Sequence, residues 1–107
     1  MAFTPYHNVL GSSGVDTQLL APGGGAGSIK SIMLTNVHAS ADATVTLYLY
    51  QASTASKYNI IHTIAIPADT SLLLDDNSLL NFDNSASGYG LYVTVGASDT
   101  VDILINQ

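Results

Sequence analysis

The chain has 107 residues, 47% of them hydrophobic, which suits one domain with a real core rather than a disordered tail. Only 9% are charged, against roughly 25% in ordinary soluble domains. The net charge is −6, every acid is Asp, and the only bases are Lys30 and Lys57. Two isolated lysines cannot neutralise a run of phosphates, so nucleic acid and anionic membranes are excluded as expected partners. There is no cysteine, hence no disulfide framework, thiolate metal site or cysteine nucleophile. No apolar run approaches the roughly 20 residues that span a bilayer, and the opening MAFTPYHNVL lacks a signal peptide's basic and apolar regions.

Residues 1–27 read as an N-terminal arm of weak strand character. Tyr6–Leu10 and Val15–Leu20 could each pair with a sheet, with Gly11-Ser12-Ser13-Gly14 as a turn between them. The run Pro22-Gly23-Gly24-Gly25-Ala26-Gly27 is not a phosphate loop. No Lys-Ser/Thr pair closes it, and strand rather than helix follows. A flexible connection is expected there.

Residues 28–51 are the most regular part of the chain. In a first run Ile32 and Leu34 fall on one face, Met33 and Val37 on the other, then Ala43, Val45, Leu47 and Leu49 alternate with Thr44, Thr46, Tyr48 and Tyr50 in a second. Side chains on a strand alternate with period two, so one face of each run can be buried. With the polar stretch His38-Ala39-Ser40-Ala41 between them, the two runs predict a β-hairpin with its Thr/Tyr face outside.

Ala52–Lys57 reads as a polar loop. Tyr58–Ile66 reads as a strand with Ile60, His62, Ile64 and Ile66 on one face, ended by Pro67, which cannot donate to a ladder. Thr70–Leu74 is a short strand and Leu79–Phe82 a short strand or bend, with Asp83–Gly88 as a loop after it. Tyr89–Val95 places Leu91, Val93 and Val95 on one face. The last strand places Val101, Ile103 and Ile105 together. No window carries a helical apolar period. The pattern predicts an all-β, single-domain antiparallel β-sandwich, jelly-roll-like, of about eight short strands. The sandwich is expected over 28–107, preceded by the arm over 1–27.

Candidates for chemistry are few. His7, His38 and His62 form no short-spaced ligand pair, and His62 reads as a packed histidine among isoleucines. Asp75-Asp76-Asn77 and Asp83-Asn84 lack calcium-loop spacing and read as turns. Nothing resembles a nucleophile elbow or a paired-carboxylate site. No enzymatic activity, metal or cofactor is expected. The tyrosines stand out instead. Tyr6, Tyr48, Tyr50 and Tyr92 are the candidate interface residues, because amphipathic aromatics on an exposed sheet suit a subunit contact or a glycan. The scarcity of charge to guard strand edges adds an expectation of homo-oligomers.

Ile29-Lys30-Ser31-Ile32-Met33-Leu34-Thr35-Asn36-Val37 followed by Asp42-Ala43-Thr44-Val45-Thr46-Leu47 is similar to small virion proteins of tailed bacteriophages, notably marine ones. His62-Thr63-Ile64-Ala65-Ile66-Pro67-Ala68-Asp69-Thr70 resembles their strand ending in a Pro-Ala turn. Gly90-Leu91-Tyr92-Val93-Thr94-Val95, then Ala97-Ser98-Asp99-Thr100-Val101-Asp102-Ile103, resembles their closing hairpin. The resemblance covers roughly residues 28–106. It departs in the longer Asp83–Tyr89 loop and the glycine-rich arm. It implies a structural role in the virion, as a capsid decoration protein or a component of the neck, tail or fibres. The implied partners are the major capsid protein or other virion proteins, with assembly in the host cytoplasm. A trimer would match local threefold symmetry.

Overall fold

The computed structural model describes residues 6–11, 16–23, 30–38, 40–75, 84–85, 87–96 and 99–106. Among these residues there are eight strands: β1 (Tyr6–Leu10), β2 (Asp16–Leu20), β3 (Ser31–Asn36), β4 (Ala43–Gln51), β5 (Ser56–Ile66), β6 (Ser71–Leu74), β7 (Gly90–Val95) and β8 (Thr100–Asn106). They form two antiparallel four-stranded sheets, ordered β1-β8-β3-β6 and β2-β7-β4-β5. This is a β-sandwich with jelly-roll strand order. Among the described residues no helix is long and apolar enough to cross a membrane.

The core lies between the sheets. Val9, Ile32, Leu34, Val101, Ile103 and Ile105 from one sheet meet Ala43, Val45, Leu47, Leu91, Val93 and Val95 from the other, all 0–6% exposed. These are the apolar faces read from the alternation. Burying each large aliphatic side chain contributes about 1.5–3 kcal/mol. Residues 6–10 and 16–20 belong to the same body. They form one outer strand of each sheet, and Val9, Leu19 and Leu20 are in the core. Removing residues 1–27 would therefore strip both sheets of a strand.

The pairing of the strands differs from the expected hairpins. β3 and β4 do not pair with each other. β3 lies between β8 and β6, whereas β4 lies between β7 and β5. The predicted closing hairpin is also a crossing, with β7 in one sheet and β8 in the other. Among the described residues, the one pairing between consecutive strands joins β4 to β5, with Gln51 opposite Ser56; the turn occupies 52–55, and Ser56 and Lys57 of the expected loop belong to the strand. Ala55 adopts φ 53° in that turn, and its N–H donates to the Ala52 carbonyl.

Asn36 explains the first crossing. Its side chain is fully buried, and its Nδ2 donates to the carbonyls of Ala41 (2.8 Å) and Ile66 (2.9 Å). Its Oδ1 accepts the His38 N–H at 2.9 Å. The stretch read as a hairpin turn is thus pulled inward and bent from one sheet to the other. At the same end Gly11 and Gly96 touch across the β1–β2 and β7–β8 crossings. A Cβ on Gly11 would sit 1.9 Å from the Gly96 carbonyl oxygen, which no side chain can accommodate.

β5 breaks its own alternation twice. Leu47 pairs with Ile61 but Tyr48 with Asn59, and Val45 pairs with Ile64. The extra residues bulge the strand. Ile60 and Ile61 then both pack against the core. Thr63 takes φ 53°, an unusual conformation for a β-branched residue, and its N–H bonds Thr46 Oγ1 at 2.9 Å. His62 is exposed rather than packed, because the bulge turns it out of the isoleucine face. The expected element at 79–82 and most of the 22–27 glycine-rich connection lie outside the described residues.

Asn36→Ala should lower stability by about 2–4 kcal/mol, since it orphans a buried carbonyl and an N–H as well as opening a void. Urea unfolding followed by circular dichroism measures this. A loss below about 1 kcal/mol would mean the corner stands without the amide.

Candidate functional site

The outer faces of the two sheets carry the candidate contact residues, and they differ in kind. On the β2-β7-β4-β5 sheet, register aligns Gln18, Tyr92, Tyr48 and Asn59 across all four strands. The next positions bring Tyr50 opposite Lys57 on one side, and Asp16 opposite Thr94 on the other. The rings of Tyr48 and Tyr92 stack at 5.6 Å with an 11° interplanar angle, and Tyr50 meets Tyr92 edge-on at 6.1 Å. Lys57 Nζ sits 4.1 Å from the Tyr48 ring centroid, a cation–π contact.

Polar groups bind this cluster together. Gln18 Nε2 donates to the Tyr92 hydroxyl at 2.7 Å, and the Thr94 hydroxyl donates to Asp16 Oδ1 at 2.7 Å. Hydrogen bonds from Thr94 and then from Tyr48 hold the Asp16 carboxyl below its ordinary range. Burial, reinforced by the hydrogen bond to Asp16, pushes the Tyr48 hydroxyl well above the ordinary tyrosine value. Tyr48 is only 3% exposed although it points outward. It is the floor of the cluster rather than a free contact surface. Asp16, Tyr48, Tyr50, Lys57 and Tyr92 line a pocket of about 220 Å³.

Tyr6 is not part of this cluster. It lies on β1, on the outer face of the other sheet, and is 71% exposed. There it joins a row that crosses all four strands. Tyr6 is opposite Leu104, Leu104 opposite Met33, and Met33 opposite Leu73. Leu104 is 41% and Leu73 54% exposed, so the row is an apolar band open to solvent. The neighbouring row is polar throughout: Asn8, Asp102, Thr35 and Ser71. Asn8 Nδ2 donates to Asp102 Oδ1 at 2.5 Å, and the Thr35 and Ser71 hydroxyls bond at 2.8 Å. A groove of about 600 Å³ runs beside the band, lined by Tyr6, His7, Asn8, Thr35, Asp102 and Leu104.

The sequence puts all four tyrosines in one candidate set, whereas the structure joins Tyr48, Tyr50 and Tyr92 and sets Tyr6 on the other sheet. It misses Asp16, Gln18, Lys57 and Thr94 as members of the tyrosine cluster, and Met33, Leu73 and Leu104 as members of the apolar band. Lys57 was accessible in principle, because a β4–β5 hairpin puts it opposite Tyr50. Asp16 and Gln18 depend on pairing with residues 78 and 74 positions away.

Of the remaining candidates, His38 and Asn84 have structural roles. His38 Nδ1 accepts the N–H groups of Ser40 and Ala41, both at 3.1 Å, and so holds the corner after β3. His7 is half-buried. Asn84 is buried, donating to the carbonyls of Ala21 (3.0 Å) and Tyr89 (2.8 Å). Asp76, Asn77 and Asp83 lie outside the described residues. Among the described residues no three His or Asp side chains gather as a metal site would require. No protein-family model, curated protein or solved structure matches this chain.

The cluster predicts a two-sided pH response. The depressed Asp16 pKa favours the folded state above the ordinary carboxyl value near 3.9, and this contribution is lost as pH falls through the folded value. The raised Tyr48 pKa favours the folded state below about pH 10, and this contribution is lost as pH rises past it. Tyr48→Phe should flatten the alkaline loss and move the Asp16 carboxyl up toward its ordinary value. Carbon-detected NMR titration of Asp16, with unfolding midpoints across pH, checks both. An unchanged Asp16 titration in Tyr48→Phe would separate the two groups.

Proposed function

We propose that this protein is a non-enzymatic structural component of a tailed-phage particle, a decoration protein that binds the assembled head. Its partners are the major capsid protein and further copies of itself. The phage assignment starts from the resemblance over roughly residues 28–106. The observation of the fold that supports a contact role is the apolar band Tyr6–Leu104–Met33–Leu73, which runs across all four strands beside the polar row Asn8, Asp102, Thr35 and Ser71. An apolar strip flanked by satisfied polar rows has the anatomy of a protein contact surface. Exposed apolar bands in register across a sheet are unusual on a free-standing domain. A protein that binds only the assembled shell stabilises it by mass action. The proposed anchor is this face, since residues 1–27 supply two strands of the sandwich.

A second reading places the protein in the neck, tail or fibres with a glycan-binding face. It is supported by the pocket on the opposite sheet, where Tyr50 and Tyr92 offer aromatic surface, and Asp16 and Lys57 offer an acceptor and a donor. Sugar rings use this combination of apolar face and hydroxyl partners.

Quantitative mass spectrometry of purified virions, paired with binding of variants to heads, separates the readings. A copy number comparable to the major capsid protein is expected. Leu73→Asp and Leu104→Asp should each weaken head binding by about tenfold or more while the fold persists. A low copy number, with glycan binding lost in Tyr50→Ala, would favour the second reading. Absence from particles would sink both.

A further inference from the structure

Among the described residues the two sheets have four edges: β1 and β6 in one, β2 and β5 in the other. A free edge offers unpaired backbone groups to any other strand, and natural β proteins blunt it with bulges, charges or brevity. Three of these edges are blunted. β5 bulges twice and carries Lys57. β2 starts at Asp16 and breaks register between Gln18 and Leu20. β6 is four residues long. β1 has none of these features. Its sequence is Tyr-His-Asn-Val-Leu, uncharged apart from what His7 can carry, and it pairs with β8 in unbroken register from end to end.

The hydrogen-bonding phase of β1 follows from its last contact. The Gly11 N–H donates to the Asp99 carbonyl at 2.7 Å. Bonded pairs alternate along an antiparallel ladder, so Val9 and His7 also direct their backbone groups toward β8. Tyr6, Asn8 and Leu10 direct theirs to the open edge. The side chains of the same three residues project from the outer face. Tyr6 at 71% and Leu10 at 70% are the most exposed of the large hydrophobics among the described residues.

We propose that β1 pairs antiparallel with β1 of a second copy of this chain, about a twofold axis through Asn8. In this register Asn8 faces Asn8, and Tyr6 of each copy faces Leu10 of the other. Every outward-pointing backbone group then meets another, giving about six hydrogen bonds. An axis through His7 or Val9 gives about four and leaves Leu10 or Tyr6 unopposed. An axis between two residues sets outward groups against inward ones. The Asn8 register alone places the two most exposed apolar residues against each other, where cross-strand contact covers both. It also joins two four-stranded sheets into one and extends the apolar band of each copy with Leu10 of its neighbour. The contact is isologous, so it uses both β1 edges and closes at two copies instead of growing a fibre. It is independent of any attachment to a phage particle.

Sedimentation equilibrium of the purified chain from about 1 to 500 µM tests the pairing, a range chosen for a contact at the small end of interface sizes. The mass should rise toward twice 11.1 kDa. The double variant Tyr6→Asp with Leu10→Asp places like charges opposite one another at both pairs and should remain monomeric. Tyr6→Lys with Leu10→Asp places opposite charges there and should dimerise, less so at high salt. Both positions are exposed, so both variants should unfold at temperatures close to that of the parent chain. A parent chain that stays monomeric over the whole range overturns the proposal. So does a like-charge variant that dimerises as the parent does, or an opposite-charge variant that does not dimerise.

Discussion

The fold depends on one buried side chain. The Asn36 amide spends both of its donors and one acceptor within the protein, on Ala41, Ile66 and His38. Buried polar groups persist only when they are bonded in this way. Here the bonds reach two separate crossings between the sheets. Ala41 and His38 belong to the passage from β3 to β4, and Ile66 is the last residue before the passage from β5 to β6. Backbone bonds lace the same two passages, from the Asn36 N–H to the Thr70 carbonyl and from the Asp69 N–H to the His38 carbonyl. Without this tie the apolar rows of β3 and β4 would be free to pair as a hairpin, which their alternation equally allows.

Once the chain crosses between sheets at its corners, the inner faces take the aliphatic rows, and the outer faces are left to whatever alternates with them. The consequences differ on the two sides. In the β2-β7-β4-β5 sheet the alternate positions hold tyrosines, which stack, accept Gln18 and shelter under Lys57. That face largely satisfies itself, to the point that Tyr48 is buried. In the β1-β8-β3-β6 sheet the alternate positions of one row hold Tyr6, Leu104, Met33 and Leu73, which have no such cover. The low charge of the chain bears on the second face most. Asp102 is the one carboxylate in the row Asn8, Asp102, Thr35 and Ser71, and Asn8 already engages it.

The strands and their buried faces were legible in the sequence. Ile32 with Leu34, Ala43 with Val45 and Leu47, Leu91 with Val93 and Val95, and Val101 with Ile103 and Ile105 all turn inward as their period-two spacing requires. The exception is β5, where Ile60 and Ile61 both pack inward and His62 is turned out, because a bulge resets the period without leaving a sequence mark. The candidate site was legible in part. Tyr48 and Tyr50 share a face by spacing alone, but Asp16 and Lys57 reach them only through strand pairing.

Alternation is a local property, since adjacent side chains of any extended strand must point to opposite sides. It determined from the sequence that this chain is all-β, where its strands run, and which side of most of them is apolar. Which strand lies beside which is not local. The same apolar row is satisfied by a hairpin neighbour or by a facing sheet, and the free-energy difference rests on contacts between residues far apart in the chain. Tertiary structure alone therefore decided that β3 and β4 part company at Asn36, that residues 6–10 and 16–20 complete the sheets, and that Tyr6 stands on the opposite face from Tyr48, Tyr50 and Tyr92.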